Sequence, residues 1–378
     1  MATLTLAAFA PSATASAAGP PAQSSALNGG GPIGTLAALD LKQECATRAE
    51  ALTPTGWSLS RFEQCHRRDN YRINLRETNG EYIGFVEVDI WILGFAYDGS
   101  RRVDYLASLE DIKMASQLDE SVMELEVSLR GCERADLVCP GPTRRTDLIR
   151  QWYERPTADA MVVTSPDGAG ADPFYTVAFT PTFEFSVRYK DGRTIPWTED
   201  LAQHLVRFDS AGPALGGKYK GTVFPDHTPT FSLSLTGPAR QEALHIHDAL
   251  YNPSRTFPSF IGKSPPGSSP PLHRLMDKTN QDSNHNAAVK VCRDVWGPTY
   301  TTGGLECDEY PFKTTYEGAA NTTPLQVCGF TAGEPWGWHG SARPIAALDN
   351  GIGGNELKVF YGAQRLLDCD PFHVTTVP

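Results

Sequence analysis

Residues Tyr82 to Leu93 read YIGFVEVDIWIL, and this run decides the fold class of the front of the chain. It is crowded with β-branched and aromatic side chains, which suit a pleated, half-buried surface better than a helix. Its neighbours repeat the pattern. Tyr71–Arg76 (YRINLR) alternates, Met123–Leu129 (MELEVSL) alternates strictly, and so do much of Tyr175–Tyr189 and Thr230–Leu235 (TFSLSL). Turn signals at Asn79-Gly80, Asp98-Gly99 and Asp191-Gly192 separate such runs. Strands at this spacing predict a mostly-β, sandwich-like domain. One helix is expected over Ala239–Leu250, with Gln and Glu early and apolar residues three and four apart.

The strongest punctuation is Gly262–Pro271 (GKSPPGSSPP). Successive prolines fix φ and remove backbone donors, so the segment reads as a linker. The expected organisation is therefore multidomain. A signal-peptide remnant spans 1–17 and a flexible segment 18–54. A β-rich domain covers 55–261, the linker 262–271, and a small α+β domain 272–378. Met1–Ala17 ends in the cleavage-like Ala15-Ser16-Ala17 but has no basic residue before Lys42. Two readings stay open there: the tail of a secretory signal, or an Ala/Ser-rich lead.

Composition narrows the class. No apolar run reaches spanning length. The formal net charge of −11 argues against a broad basic face that grips DNA, since phosphate affinity comes largely from Lys and Arg. A nuclease remains compatible, because a bound cation can neutralise phosphate instead. The eight cysteines include no Cys-x-x-Cys pair, which disfavours zinc and favours disulfides in an exported, extracellular protein. The expected pairing is Cys45–Cys65, Cys132–Cys139, Cys292–Cys307 and Cys328–Cys369.

Chemistry gathers after the linker. Glu306-Cys307-Asp308-Glu309-Tyr310-Pro311-Phe312 sets adjacent acids before an aromatic and a proline. That is a poor helix interior and a poor central strand, so a strand end or loop is expected. Asp349-Asn350-Gly351 opens a glycine-rich turn before an expected helix over Glu356–Leu367, where Asp and Asn also suit a cap. His245-Ile246-His247-Asp248 looks metal-binding, yet residues two apart on a helix point in different directions. Trp336, Trp338 and His339 could stack on bases or pack at a rim, with packing preferred. Asn321-Thr322-Thr323 fits a glycosylation acceptor.

Three stretches in order resemble the NucA/NucB-like secreted bacterial deoxyribonucleases. They are HRLMDKTNQDSNHNAAVKVC (273–292), CDEYPFKTTYEGA (307–319) and ALDNGIGGNELKVFYGAQRLLDCDPFHV (347–374). The resemblance implies hydrolysis of DNA phosphodiesters with Mg²⁺ or Mn²⁺ on an α+β core. It makes Asp308, Glu309 and Glu317 catalytic candidates and Asn350, Asp349 and Glu309 candidate metal ligands. Asn286 falls where the family has an Asn. Gly351 stands where the family often has Arg, so Arg343 and Arg365 are considered as substitutes for phosphate contact. A monomer acting on DNA is expected, with the partner of the β-rich domain unidentified. An extracellular binding protein with an inactive nuclease-like tail, and a nuclease toxin delivered to competing cells, stay open as alternatives.

Overall fold

The computed structural model describes residues 35–167, 176–216, 220–320 and 337–378. The front is built from β1 (Trp57–Ser58), β2 (Glu63–Arg76), β3 (Tyr82–Ala96), β4 (Arg102–Met114), β5 (Met123–Arg130), β6 (Arg144–Leu148), β7 (Met161–Thr164), β8 (Thr176–Phe179), β9 (Thr182–Tyr189), β10 (Trp197–Ala202), β11 (Val206–Asp209) and β12 (Gly221–Val223). Its helices are α1 (Thr35–Ala46) and α2 (Ile149–Glu154). The rear is built from β13 (Thr230–Ser234), β14 (Leu272–His273), β15 (Leu305–Tyr310), β16 (Ser341–Ala346) and β17 (Pro371–Val377). Its helices are α3 (Arg240–Tyr251), α4 (Lys278–Trp296) and α5 (Ala347–Ala363).

The front is β-rich, as its alternating runs require. A five-stranded sheet, β1-β2-β3-β4-β7, and a four-stranded sheet, β10-β9-β5-β6, feed one apolar core with the three-stranded β12-β11-β8. Val86, Val88, Ile90 and Ile92 alternate inward along the run that opened the reading, and Val127, Phe183 and Phe185 join them from the second sheet. The turn signals at Asn79-Gly80 and Asp98-Gly99 fall between paired strands.

Three expectations about organisation change. Residues 35–54, expected to be flexible, belong to the fold: Leu41 and Cys45 are buried against Phe95, and Cys45 is bonded to Cys65. The segment 262–271, read as a spacer, is fastened along its length. The Gly267 carbonyl accepts from Val374 N–H, the Pro266 carbonyl accepts from Tyr310 Oη, and Ser264 N–H donates to His339 Nδ1. Its prolines remove donors, but its carbonyls remain good acceptors. The packing boundary also lies earlier than that segment. β13 pairs in parallel with β17, and α3 contributes Ala243, Ile246 and Ala249 to a core shared with Leu272, Phe312 and Phe372. Alternation in TFSLS turns Phe231 and Leu233 inward, which binds that strand to the rear.

Front and rear are joined by charge as well as by a small apolar contact of Ala211, Leu215 and Leu367. Arg61 Nη2 donates to Asp370 Oδ2 at 2.7 Å, and Arg207 Nη1 donates to the same carboxylate. No helix among the described residues is long and apolar enough to cross a membrane.

Of the expected disulfides, Cys45–Cys65, Cys132–Cys139 and Cys292–Cys307 are formed. The Cys328–Cys369 expectation falls outside the described residues at Cys328, as do the signal-like Met1–Ala17, the Asn321 acceptor and Trp336.

Candidate active site

β15 carries the acidic motif and pairs antiparallel with β16, Asp308 opposite Arg343 and Glu309 opposite Ala342. The motif is thus a true strand rather than a strand end or loop, because helices cover both of its faces. Side chains alternate across a strand. Cys307 and Glu309 turn to α4, where Cys307 is bonded to Cys292 and Glu309 Oε1 lies 3.5 Å from His285 Nδ1. Asp308 turns to α3, where its Oδ2 lies 2.6 Å from His245 Nδ1; His245 Nε2 lies 2.7 Å from Ser341 Oγ. Asp308 is 5% and Glu309 9% exposed.

α4 begins on Asp277, whose carboxylate caps Asn280 N–H at 2.8 Å. Asn284, Ala288 and Cys292, each four residues apart, form its buried face. Asn284 Nδ2 donates to the Lys313 and Thr315 carbonyls, and its Oδ1 accepts from Ala320 N–H. These bonds hold the chain that leaves β15. Gly318 is needed beside them, since a Cβ there would overlap the Asn284 amide.

The two strand acids open into a cleft of about 480 Å³ lined also by Glu242, His285, Glu306, Asn350, Lys313, Arg274 and Lys358. Glu242, from α3, is 2% exposed, and its Oε2 has no hydrogen-bond partner among the described residues. Burial first, then the charges of Asp308, Glu356 and Glu309, pushes its carboxyl up to about 10. Burial also raises Glu309, with the nearby Asp308 charge adding to it and His285 opposing it. The Glu309 carboxylate in turn raises His285, favouring the imidazolium.

The glycine-rich run after Asp349-Asn350 is helical, so α5 begins at Ala347 rather than near Glu356. A glycine costs about 1 kcal/mol against Ala inside a helix, so packing must favour it here. Gly353 meets that condition: a Cβ on it would collide with the Glu242 carboxylate.

The predicted residues separate into those brought to the cleft and those placed elsewhere. Asp308, Glu309 and Asn350 line it, the last donating to Glu306 Oε2 at 3.0 Å. Asp349 instead accepts from Gln241 N–H at 2.8 Å, capping the first turn of α3. Glu317 binds His273 through both oxygens, 2.8 Å to Nδ1 and 3.0 Å to the backbone N–H, which anchors β14. Asn286 is exposed on α4, one residue past the His285 that faces the cleft. Arg343 pairs with Asp248 on the α3 side. Arg365 is 2% exposed and pairs with Asp209 and Asp98 of the front, so it clasps the two parts and does not reach for phosphate. Trp338 is buried and donates to the Glu317 carbonyl, while His339 packs edge-on against Phe260, in keeping with packing rather than stacking on bases.

Sequence reading did not single out Glu242, His285, Arg274, Lys313 or Lys358 of the cleft, and it weighed His245 only for a metal role. Glu242 and His245 stand three apart on one helical face, a spacing that signals a shared target. Arg274 lies over the Tyr361 ring at 3.8 Å, and its Nε and Nη1 have no hydrogen-bond partner among the described residues.

The donor set at the cleft is oxygen-rich, the kind that suits a hard divalent cation such as Mg²⁺ or Mn²⁺. Among the described residues no three His, Cys, Asp or Glu side chains already converge on one point. That is compatible with an ion held by one or two carboxylates and completed by water and substrate oxygens.

Comparison with known families agrees with the geometry. Residues 270–375 match the family described as Deoxyribonuclease NucA/NucB. No curated protein and no solved structure gives a match.

Proposed function

We propose, because residues 270–375 match the NucA/NucB deoxyribonuclease family, that the protein is a secreted, metal-dependent endodeoxyribonuclease acting at the β15 cleft. The observation that carries the reading is the pair of buried acids, Asp308 and Glu309, opening into a cleft that also presents His285, Lys313, Lys358 and Arg274. Acids alone would repel a phosphodiester; with these cations beside them, the cleft has a place for it.

Glu309 and Asn350 would hold Mg²⁺ or Mn²⁺, which when bound offsets charge on the phosphate and makes water a better nucleophile. Asp308 accepts the proton of the attacking water, and His245 keeps the carboxylate oriented through its 2.6 Å contact. Water oxygen bonds to phosphorus as the bond to one ester oxygen breaks. His285, whose charged form the Glu309 carboxylate favours, and Arg274 line the cleft and would donate to the phosphate oxygens. The disulfides suit an oxidising compartment, and we place the protein outside the cell.

Supercoiled plasmid incubated with the full chain and Mn²⁺ or Mg²⁺ tests this reading. Nicking and linearisation that stop with EDTA support it; intact plasmid across both metals contradicts it.

A further inference from the structure

We infer that Glu242 is a further ligand for the divalent cation of this site, supplied by α3 from outside the segment that matches the nuclease family. The inference rests on the nuclease reading and adds a residue to it. Glu242 lies 28 positions before residue 270, where the family match begins.

Three observations converge. Glu242 lines the same cleft as Asp308 and Glu309 and is 2% exposed. Its Oε2 is buried with no hydrogen-bond partner among the described residues. A buried carboxyl oxygen without a partner is costly unless something else satisfies it, and a cation that displaces the carboxyl proton does so. Third, Gly353 on α5 leaves the space the carboxylate fills, since any side chain there would displace it. An accidental buried acid would be relieved by a smaller or apolar residue at one position. Here two helices are shaped around it.

The acidic neighbours of Glu242 favour a cation. Asp308, Glu309 and Glu356 all lie close enough to act on Glu242 through their charges. Asp349 anchors the first turn of α3 by accepting from Gln241 N–H, and Gln241 Oε1 accepts in return from Ala346 N–H. These reciprocal caps fix the backbone that carries Glu242 beside the start of α5.

The test is Mn²⁺ binding, read from the loss of the free-ion EPR signal, on the full chain as wild type, Glu242→Gln and Gly353→Ala. Plasmid cleavage is measured on the same samples. Removing the carboxylate is expected to weaken Mn²⁺ binding by roughly tenfold or more, with cleavage recovering at high Mn²⁺. Gly353→Ala, which keeps the carboxylate but pushes on it, is expected to weaken binding in the same direction. Folded Glu242→Gln that binds Mn²⁺ like wild type overturns the inference. If that variant does not fold, unchanged affinity in Gly353→Ala overturns it. Wild type that binds Mn²⁺, loses affinity on Glu242→Gln and leaves DNA intact would sink the nuclease reading while supporting the ligand assignment. Wild type that binds no Mn²⁺ overturns both.

Discussion

His245 Nδ1 lies 2.6 Å from Asp308 Oδ2 across 63 residues of sequence, while its other ring nitrogen is held 2.7 Å from Ser341 Oγ. An imidazole fastened at both ends fixes the rotamer of the carboxylate it touches. The acid of the family motif is therefore oriented by a helix that precedes the family segment.

His245→Ala is expected to lower kcat by roughly ten- to a hundredfold with little change in KM for DNA, because it disturbs orientation rather than contact. His245→Gln, which retains a donor, should recover part of the loss. Steady-state cleavage checks both. A KM effect with kcat intact would contradict the positioning role.

Arg274 lines the cleft with its guanidinium over the Tyr361 ring. Arg274→Ala should raise KM and weaken binding of a phosphodiester more than Arg274→Lys does, since Lys keeps charge but not the planar fork. Fluorescence anisotropy with a labelled duplex and EDTA measures this without turnover. Equal affinity in all three proteins would remove Arg274 from substrate contact.

Asp370 joins the two parts of the protein by accepting from both Arg61 and Arg207. Asp370→Ala leaves a buried arginine without its carboxylate and should cost about 3–5 kcal/mol. Urea unfolding gives the value, and limited proteolysis should show the front and rear cut apart more readily. A loss under about 1 kcal/mol, the range of an exposed pair, would contradict the clasp.

Burial holds His66 and His227 of the front neutral, each lowered to about 4. The unfolded chain titrates near 6.5 and so binds more protons than the folded one between those values. The sign follows: their contribution to stability is complete above about 6.5, falls as the pH drops toward about 4, and is level below that. For the fully buried His66 the loss is on the order of 3 kcal/mol. Urea midpoints from pH 7 to pH 4 should decline less steeply in His66→Gln than in wild type. Parallel curves would refute it.

Much of this was legible in the residues. YIGFVEVDIWIL announced its strand, the α3 pattern its helix, and the CDEYPF motif the two acids that line the cleft. Geometry at long range was not legible. The parallel pairing of Thr230–Ser234 with His373–Val377 leaves no local signal, so a proline-rich stretch looked like the boundary. The glycines after Asn350 read as a turn, and the one contact that calls for a glycine there, the Glu242 carboxylate against Gly353, comes from another helix. Arg365 looked available for phosphate because nothing nearby in sequence names Asp209 or Asp98. His245 was rightly separated from His247, which turns instead to Thr376, but its partner Asp308 lay too far along the chain to suggest itself.

The central claim is that the buried acids of β15 carry out hydrolysis. Its most direct test is single-turnover cleavage of plasmid DNA with Mn²⁺ by wild type and by Asp308→Asn with Glu309→Gln, both verified as folded by circular dichroism. The account predicts metal-dependent cleavage by wild type and a loss of roughly a thousandfold or more in the double variant. A folded double variant that cleaves at the wild-type rate would contradict it.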